Sequence, residues 1–187
     1  MEQFVSLDRL EDALQTIRLS PSDSGFVEMI VCRPGVGERE VLHEAALSLE
    51  DGLVGDNWKQ RGAPKVGGDA RHLAMQINIM NSRTIDAIAN ADRALWPMAG
   101  DQLFVDFDLS ADNLPAGTQL QVGEAVLEVT SEPHLGCGKF KDRFGRDAVA
   151  FVNSEIGKNL KLRGINARVI KPGVVTTGGV ISKLAPF

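Results

Sequence analysis

"TQLQVGEAVLEVT", residues 118–130, decides the fold. Two runs alternate apolar and polar residues around Gly123-Glu124. A glycine at the first turn position suits a type II′ turn, so the segment reads as a β-hairpin. Upstream, "QLFVDFDLS" (102–110) alternates through Leu103, Val105, Phe107 and Leu109, and "HLAMQINIM" (72–80) alternates as well. Further back, "FVEMIVCRPGVGEREVLHEAALSL" (26–49) reads as two strands joined by a Pro/Gly turn. Downstream, "INARVIKPGVVTTGGVISKL" (165–184) carries short strands with Pro-Gly and Gly-Gly turns.

Helices are few. Leu7, Leu10, Leu14 and Ile17 fall at helical spacing with Ser6 placed to cap, which predicts a helix over 7–19. "SRTIDAIANADRAL" (82–95) and residues 147–160 read as two more; the second has Val149, Val152, Ile156 and Leu160 on one face. Residues 51–71 are glycine-rich without apolar period and read as a long loop. Strands do not alternate regularly with helices, which disfavours a doubly wound sheet. The expected fold is mainly β (α+β): a mixed, largely antiparallel β-barrel with a few peripheral helices. Residues 1–24 are expected to form an N-terminal helix and linker, and 25–187 the barrel domain.

The chain has 187 residues, of which 43% are hydrophobic and 24% charged, as in soluble globular proteins. No apolar run approaches about eighteen residues, so no membrane span is expected. The acidic N-terminus lacks the apolar core of a secretory signal. Two distant cysteines, Cys32 and Cys137, read as reduced thiols in the cytoplasm. A net charge of −5 argues against non-specific nucleic-acid binding. Residues 132–187 nevertheless hold ten Lys or Arg against four Asp or Glu, while residues 1–131 hold ten against twenty-one. A cationic C-terminal third suits a small anionic ligand; a solvated basic face is the alternative.

"EPHLGCGKFKDRFG" (132–145) follows the hairpin at once. Pro133 stops strand pairing, which predicts a loop for His134 to Cys137. Lys139 and Arg143, with His134 if protonated, favour the Cys137 thiolate. That suits a nucleophile, a persulfide carrier or a soft-metal ligand; an inert loop cysteine is the other reading. Three dispersed histidines and two cysteines make a structural zinc site a poor fit. Cys32 ends an apolar strand and reads as a buried thiol. Lys59, Arg61, Lys65 and Arg71 lie in the Gly-rich stretch and suit phosphate recognition, without any nucleotide-loop spacing. His72 reads either as pocket-facing or as a satisfied structural histidine. Arg163 is an anion clamp or a cation complementing a helix end. Asn113 orients a polar ligand or makes an Asx turn.

"DGLVGD" (51–56), residues 100–130, "PHLGCGKFKDRFG" (133–145) and "LRGINARVIKPGVV" (162–175) together resemble the MOSC domain, named for the C-terminal domain of molybdenum cofactor sulfurase, in its short single-domain bacterial form. The resemblance spans roughly residues 25–182 and implies a β-barrel. It further implies a molybdenum–pterin cofactor, with Cys137 matching the cysteine that ligates molybdenum in amidoxime-reducing relatives, or a sulfur carrier holding a persulfide there. The implied site comprises Cys137 and His134, with Arg71, His72, Asn113, Lys139, Arg143 and Arg163 around an anionic cofactor. Implied partners are a redox or sulfur-donor protein and N-oxygenated substrates; nothing indicates pyridoxal phosphate. A non-catalytic anion- or partner-binding module is the alternative. The chain reads Gly178-Gly179 where family members commonly read Gly-Asp, and it lacks the added domains of the larger sulfurases and reductases.

Overall fold

The computed structural model describes residues 4–62 and 67–185. Lys65, one of the cations expected to recognise phosphate, lies outside the described residues. In chain order the strands are β1 (Ser24–Cys32), β2 (Glu40–Leu42), β3 (Glu44–Ser48), β4 (Gly52–Leu53), β5 (Ile77–Asn81), β6 (Leu103–Asp106), β7 (Gln119–Val122), β8 (Ala125–Val129), β9 (Ile165–Lys171), β10 (Gly173–Thr176) and β11 (Val180–Lys183). The α-helices are α1 (Leu7–Asp12), α2 (Leu14–Ile17), α3 (Gly68–Leu73), α4 (Ser82–Ile88), α5 (Gly138–Asn153) and α6 (Glu155–Asn159). Lys59–Arg61 and Arg93–Ala99 are 3₁₀ turns.

The 118–130 hairpin forms as its sequence predicts, with Leu120 opposite Leu127 and Val122 opposite Ala125. Gly123 takes φ +55°, and a Cβ there would lie 2.6 Å from the Val174 carbonyl oxygen. Glycine therefore serves both the turn and its close packing on β10. From this hairpin the pairing runs β7–β8–β9–β5–β6–β1, and β11 joins β7 to β1, closing a seven-stranded barrel. All of its pairings are antiparallel except β5–β6. A parallel pair needs a crossover, supplied by α4 and the Arg93–Ala99 turn. β2 extends the barrel sheet from β1, and β10, β3 and β4 form a second, small sheet. The expected mixed, largely antiparallel barrel with a few helices is what forms.

Two cores explain where alternation fails. Leu103, Val105 and Phe107 fill the barrel, while Phe104 packs outward with Trp96, Phe140 and Phe144 under the helices. Both faces of β6 are covered, so Leu103, Phe104 and Val105 are all buried. α1 and α2 follow the predicted 7–19 helix closely, and Leu10 and Ile17 enter the outer core.

Three local expectations need correction. His72 sits in α3, and the strand begins only at Ile77. Residues 51–71 are not a structureless loop but carry β4, a 3₁₀ turn and part of α3. The predicted 147–160 helix begins just after a kink at Gly145 (φ 89°, ψ 172°), which joins it to a helical segment from Gly138, and it breaks at Ser154, whose hydroxyl accepts from the Gly157 N–H and starts α6. Ile156 is exposed in consequence. No helix among the described residues is long and apolar enough to cross a membrane.

Candidate functional site

His134 to Cys137 form the expected loop, and Cys137 closes it. Cys137 is the N-cap residue of α5, with extended backbone and no side-chain capping bond. Its carbonyl accepts from the Lys141 N–H, so "GKFKDRF" is the first part of a helix that bends at Gly145 (φ 89°). The preceding turn is tied down: the Asn153 side chain accepts from Gly136 N–H and donates to Gly136 C=O, both at 2.9 Å. The thiol is exposed, whereas Cys32 is buried. Burial, then Asp56 and Glu40, push the Cys32 thiol up. Lys139 is exposed in the first turn of α5.

A second feature was not legible in sequence. Four consecutive carbonyls at the end of the Arg93–Ala99 turn each accept from a different arginine. Pro97 takes Arg39 Nε at 3.1 Å, Met98 takes Arg143 Nη1 at 2.7 Å, Ala99 takes Arg163 Nη2 at 3.0 Å and Gly100 takes Arg33 Nη1 at 2.7 Å. Helix-end carbonyls lack intrahelical partners and carry negative potential, so cations suit them. The arginines outnumber that need. A Cβ built on Gly100 would lie 3.7 Å from Arg39 Nη2 and 3.8 Å from Arg143 Nη1, so two guanidiniums face one point. Burial first, then Arg143, Arg33 and Arg61, lower the Arg39 pKa. Arg61 is exposed by surface area, yet its guanidinium head is crowded enough that desolvation, then Arg33, lower it too. Arg39, Arg61 and Arg143 form no ion pair among the described residues. Such a crowded cluster, in which Arg33 alone of Arg33, Arg39, Arg61 and Arg143 has a carboxylate partner, is complementary in charge and donor geometry to an oxyanion.

Behind it lies Asp101, fully buried. Arg163 Nη1 reaches both of its oxygens, at 3.0 and 2.7 Å, and stacks its guanidinium 4.8 Å from the Phe140 ring centroid. Burial raises the Asp101 pKa, opposed by Arg163, Arg33 and Arg39. His134 Nδ1 lies 3.5 Å from Asp101 Oδ1. Gly164, at φ +110°, makes room for that ring, because a Cβ there would lie 3.3 Å from Nδ1. Burial, then Arg163 and Arg33, hold His134 well below the ordinary histidine value. The imidazole is therefore neutral at pH 7, so the protonated form on which its help to the Cys137 thiolate depended is not the one present.

The remaining candidates separate. Arg143 and Arg163 meet on adjacent carbonyls, but Arg163 is a buried structural partner of Asp101 rather than an open clamp. Arg71 turns to Glu132 at 2.8 Å, outside the arginine cluster. His72 Nε2 contacts Trp58 C=O at 3.1 Å, and its ring packs on Trp58 at 4.3 Å. Asn113 donates to Ser22 and Asp108 carbonyls and accepts from Lys183 Nζ, fastening a loop. Sequence reasoning missed Arg33, Arg39 and Asp101, and used Arg61 only as a loop cation. Positions 33, 39, 61, 143 and 163 share no motif, and only the barrel gathers them. Among the described residues no three His, Cys, Asp or Glu side chains converge on a metal position.

A family model for the MOSC domain matches residues 72–182. No curated protein sequence matches the chain. Its fold is similar to the YuaD protein from Bacillus subtilis, with TM-score 0.59 and 18% identity over 88% of this chain and 97% of that one. It is also similar to YiiM from Escherichia coli, with TM-score 0.53 and 20% identity over 87% of this chain and 71% of that one. YiiM from Geobacillus stearothermophilus gives TM-score 0.56 at 15% identity, over 87% and 75%.

Proposed function

Because the chain belongs to the MOSC domain family, we propose that it binds a molybdenum–pterin cofactor through Cys137 or carries sulfur there as a persulfide. The observation that carries this reading is the exposed Cys137 thiol at the start of α5, while the other cysteine is buried. The residues fit an anionic cofactor in two respects. Arg39, Arg61 and Arg143 offer guanidinium edges with no carboxylate paired to them. Among the described residues no three His, Cys, Asp or Glu side chains converge, so the Cys137 thiolate is the ligand that the chain would offer a cofactor's metal.

When bound, the cofactor supplies redox chemistry at the metal, including reduction of N-oxygenated substrates. The chain's part is to hold the anionic end on Arg39 and Arg143 and to present the Cys137 sulfur. Lys139 adds positive charge in the first turn of α5. In the sulfur-carrier version, the Cys137 thiolate attacks the outer sulfur of a donor persulfide. A new S–S bond forms, the donor leaves as its thiolate, and Cys137 keeps the sulfur. The donor is a sulfur-donor protein, and a redox protein is the partner in the first version.

A second reading, a non-catalytic binding barrel, is favoured by one observation. At Gly179 a Cβ would lie 2.8 Å from Thr176 O, so the acidic residue common in the family has no room in this turn. Metal and pterin analysis of protein made in a cofactor-competent host separates the readings. Stoichiometric molybdenum that is lost in Cys137→Ser supports the cofactor. A cyanide-labile sulfur on wild type but not on Cys137→Ser supports the persulfide. Neither, with phosphate still bound, supports the binding barrel.

A further inference from the structure

A cavity of about 130 Å³ lies between the 111–116 loop, the 129–134 segment and the 161–166 segment. We propose that it binds a small 2-hydroxycarboxylic acid, with the carboxylate on the Lys161 ammonium and the hydroxyl donating to Nε2 of His134. This does not rest on the role of Cys137, which does not line the cavity.

The first observation is a lysine where glycine is the usual residue. Leu162 N–H donates to Gly157 C=O and Lys161 N–H to Lys158 C=O, the paired bonds that end α6 in a Schellman motif. The left-handed position of that motif is Lys161, at φ +51°. A non-glycine residue held there is strained, and strain of this kind gathers at functional positions. Lys161 is one of the residues that line the cavity, and its ammonium has no hydrogen bond or ion pair among the described residues.

The second is the orientation of His134. Nδ1 is shut off from solvent, makes no hydrogen bond among the described residues and lies 3.5 Å from Asp101 Oδ1. The ring is 15% exposed and lines the cavity, so the exposed part is the edge away from Nδ1. The nearby Asp101 carboxylate electrostatically favours the tautomer with the proton on Nδ1, which leaves the lone pair on Nε2 as an acceptor. The neutral state argued above keeps that lone pair available at pH 7.

The other polar groups are already committed. Thr130 Oγ1 donates to Ala74 C=O, Asn166 Nδ2 donates to Glu132 C=O, and the Glu132 carboxylate is paired with Arg71. Ser131 adds a hydroxyl at the rim. Leu114, Pro115, Val129 and Ile165 supply apolar wall for a short hydrocarbon stem. The cavity is small, which limits the ligand to a few heavy atoms.

The test uses NMR titration of the full chain with L-lactate and with propanoate. Wild type and Cys137→Ser are expected to bind lactate saturably and about tenfold more tightly than propanoate, since propanoate lacks the hydroxyl that donates to Nε2. Lys161→Gly places glycine where the motif usually has it, so it folds with an unchanged or higher Tm. It is expected to bind both acids about tenfold more weakly. His134→Asn keeps an N–H for Asp101 but removes the Nε2 acceptor, and the two acids should then bind alike. Absence of saturable lactate binding, equal binding of the two acids to wild type, or unchanged affinity in folded Lys161→Gly would each overturn the proposal. Loss of binding only in Cys137→Ser would overturn its independence from the thiol site.

Discussion

Asp56 grips Arg33 along the whole edge of the guanidinium. Oδ2 accepts from Arg33 Nε at 2.8 Å and from its backbone N–H at 3.0 Å, and Oδ1 accepts from Nη2 at 2.8 Å and from the Trp58 N–H at 2.9 Å. Both side chains are buried. The pair joins the end of β1 to the "DGLVGD" stretch, and Arg33 continues to Gly100 and Asn78. The acidic residue of that stretch is therefore a structural anchor for the arginine cluster.

Asp56→Asn keeps the shape and removes the charge, which leaves a buried guanidinium uncompensated. Breaking such a pair from one side costs about 3–5 kcal/mol. Urea unfolding should show the midpoint falling by that equivalent with the slope unchanged. A loss below about 1 kcal/mol would mean that water reaches Arg33 and the anchor is weak.

Iodoacetamide should modify Cys137 well before Cys32, because one thiol is exposed while burial and Asp56 hold the other in its neutral form. Peptide mass spectrometry reads the order, and faster labelling at Cys32 would contradict this structure. Cys137→Ser should fold and gain up to about 1 kcal/mol, since serine is a better N-cap than a cysteine that makes no capping bond. A Tm clearly below wild type would instead give the thiol a packing role.

Inorganic phosphate should raise the Tm of wild type in a saturable way, because an anion that binds only the folded state stabilises it. Arg39→Ala and Arg143→Ala should each weaken this about ten- to a hundredfold, the worth of one charge-assisted hydrogen bond. Arg71→Ala should not, because Arg71 engages Glu132 away from the cluster. A uniform loss across all three would reduce the effect to general screening.

The pH dependence follows from His134. Its folded pKa is depressed, so below about 6.5 the unfolded chain takes up a proton that the folded chain refuses. Its stabilising contribution is complete above that pH. It should be lost as pH falls from there toward the folded pKa, at up to about 1.4 kcal/mol per pH unit. His134→Asn should flatten this slope. Comparing variant with wild type cancels Asp101, whose raised pKa acts in the opposite sense at lower pH. Parallel profiles for the two proteins would show that His134 is solvated.

The hairpin around Gly123, the alternation of the barrel strands and the burial of Cys32 were determined by the sequence alone, because period-two burial and turn glycine are local constraints. Alternation failed at Phe104, where an outer helical layer covers the second face. The helix boundary at Cys137 was also hidden, since glycine and proline around it favour a loop until Asn153 fastens Gly136. The chemistry of the site lay furthest from the local pattern. Arg33, Arg39, Arg143 and Arg163 come together because the four successive carbonyls of residues 97–100, at the end of a helical turn, each accept from one of them. His134 is neutral only because the closed barrel and the helices bury it beside Arg163. Burial and the convergence of distant charges are properties of the folded chain, so tertiary structure decided them.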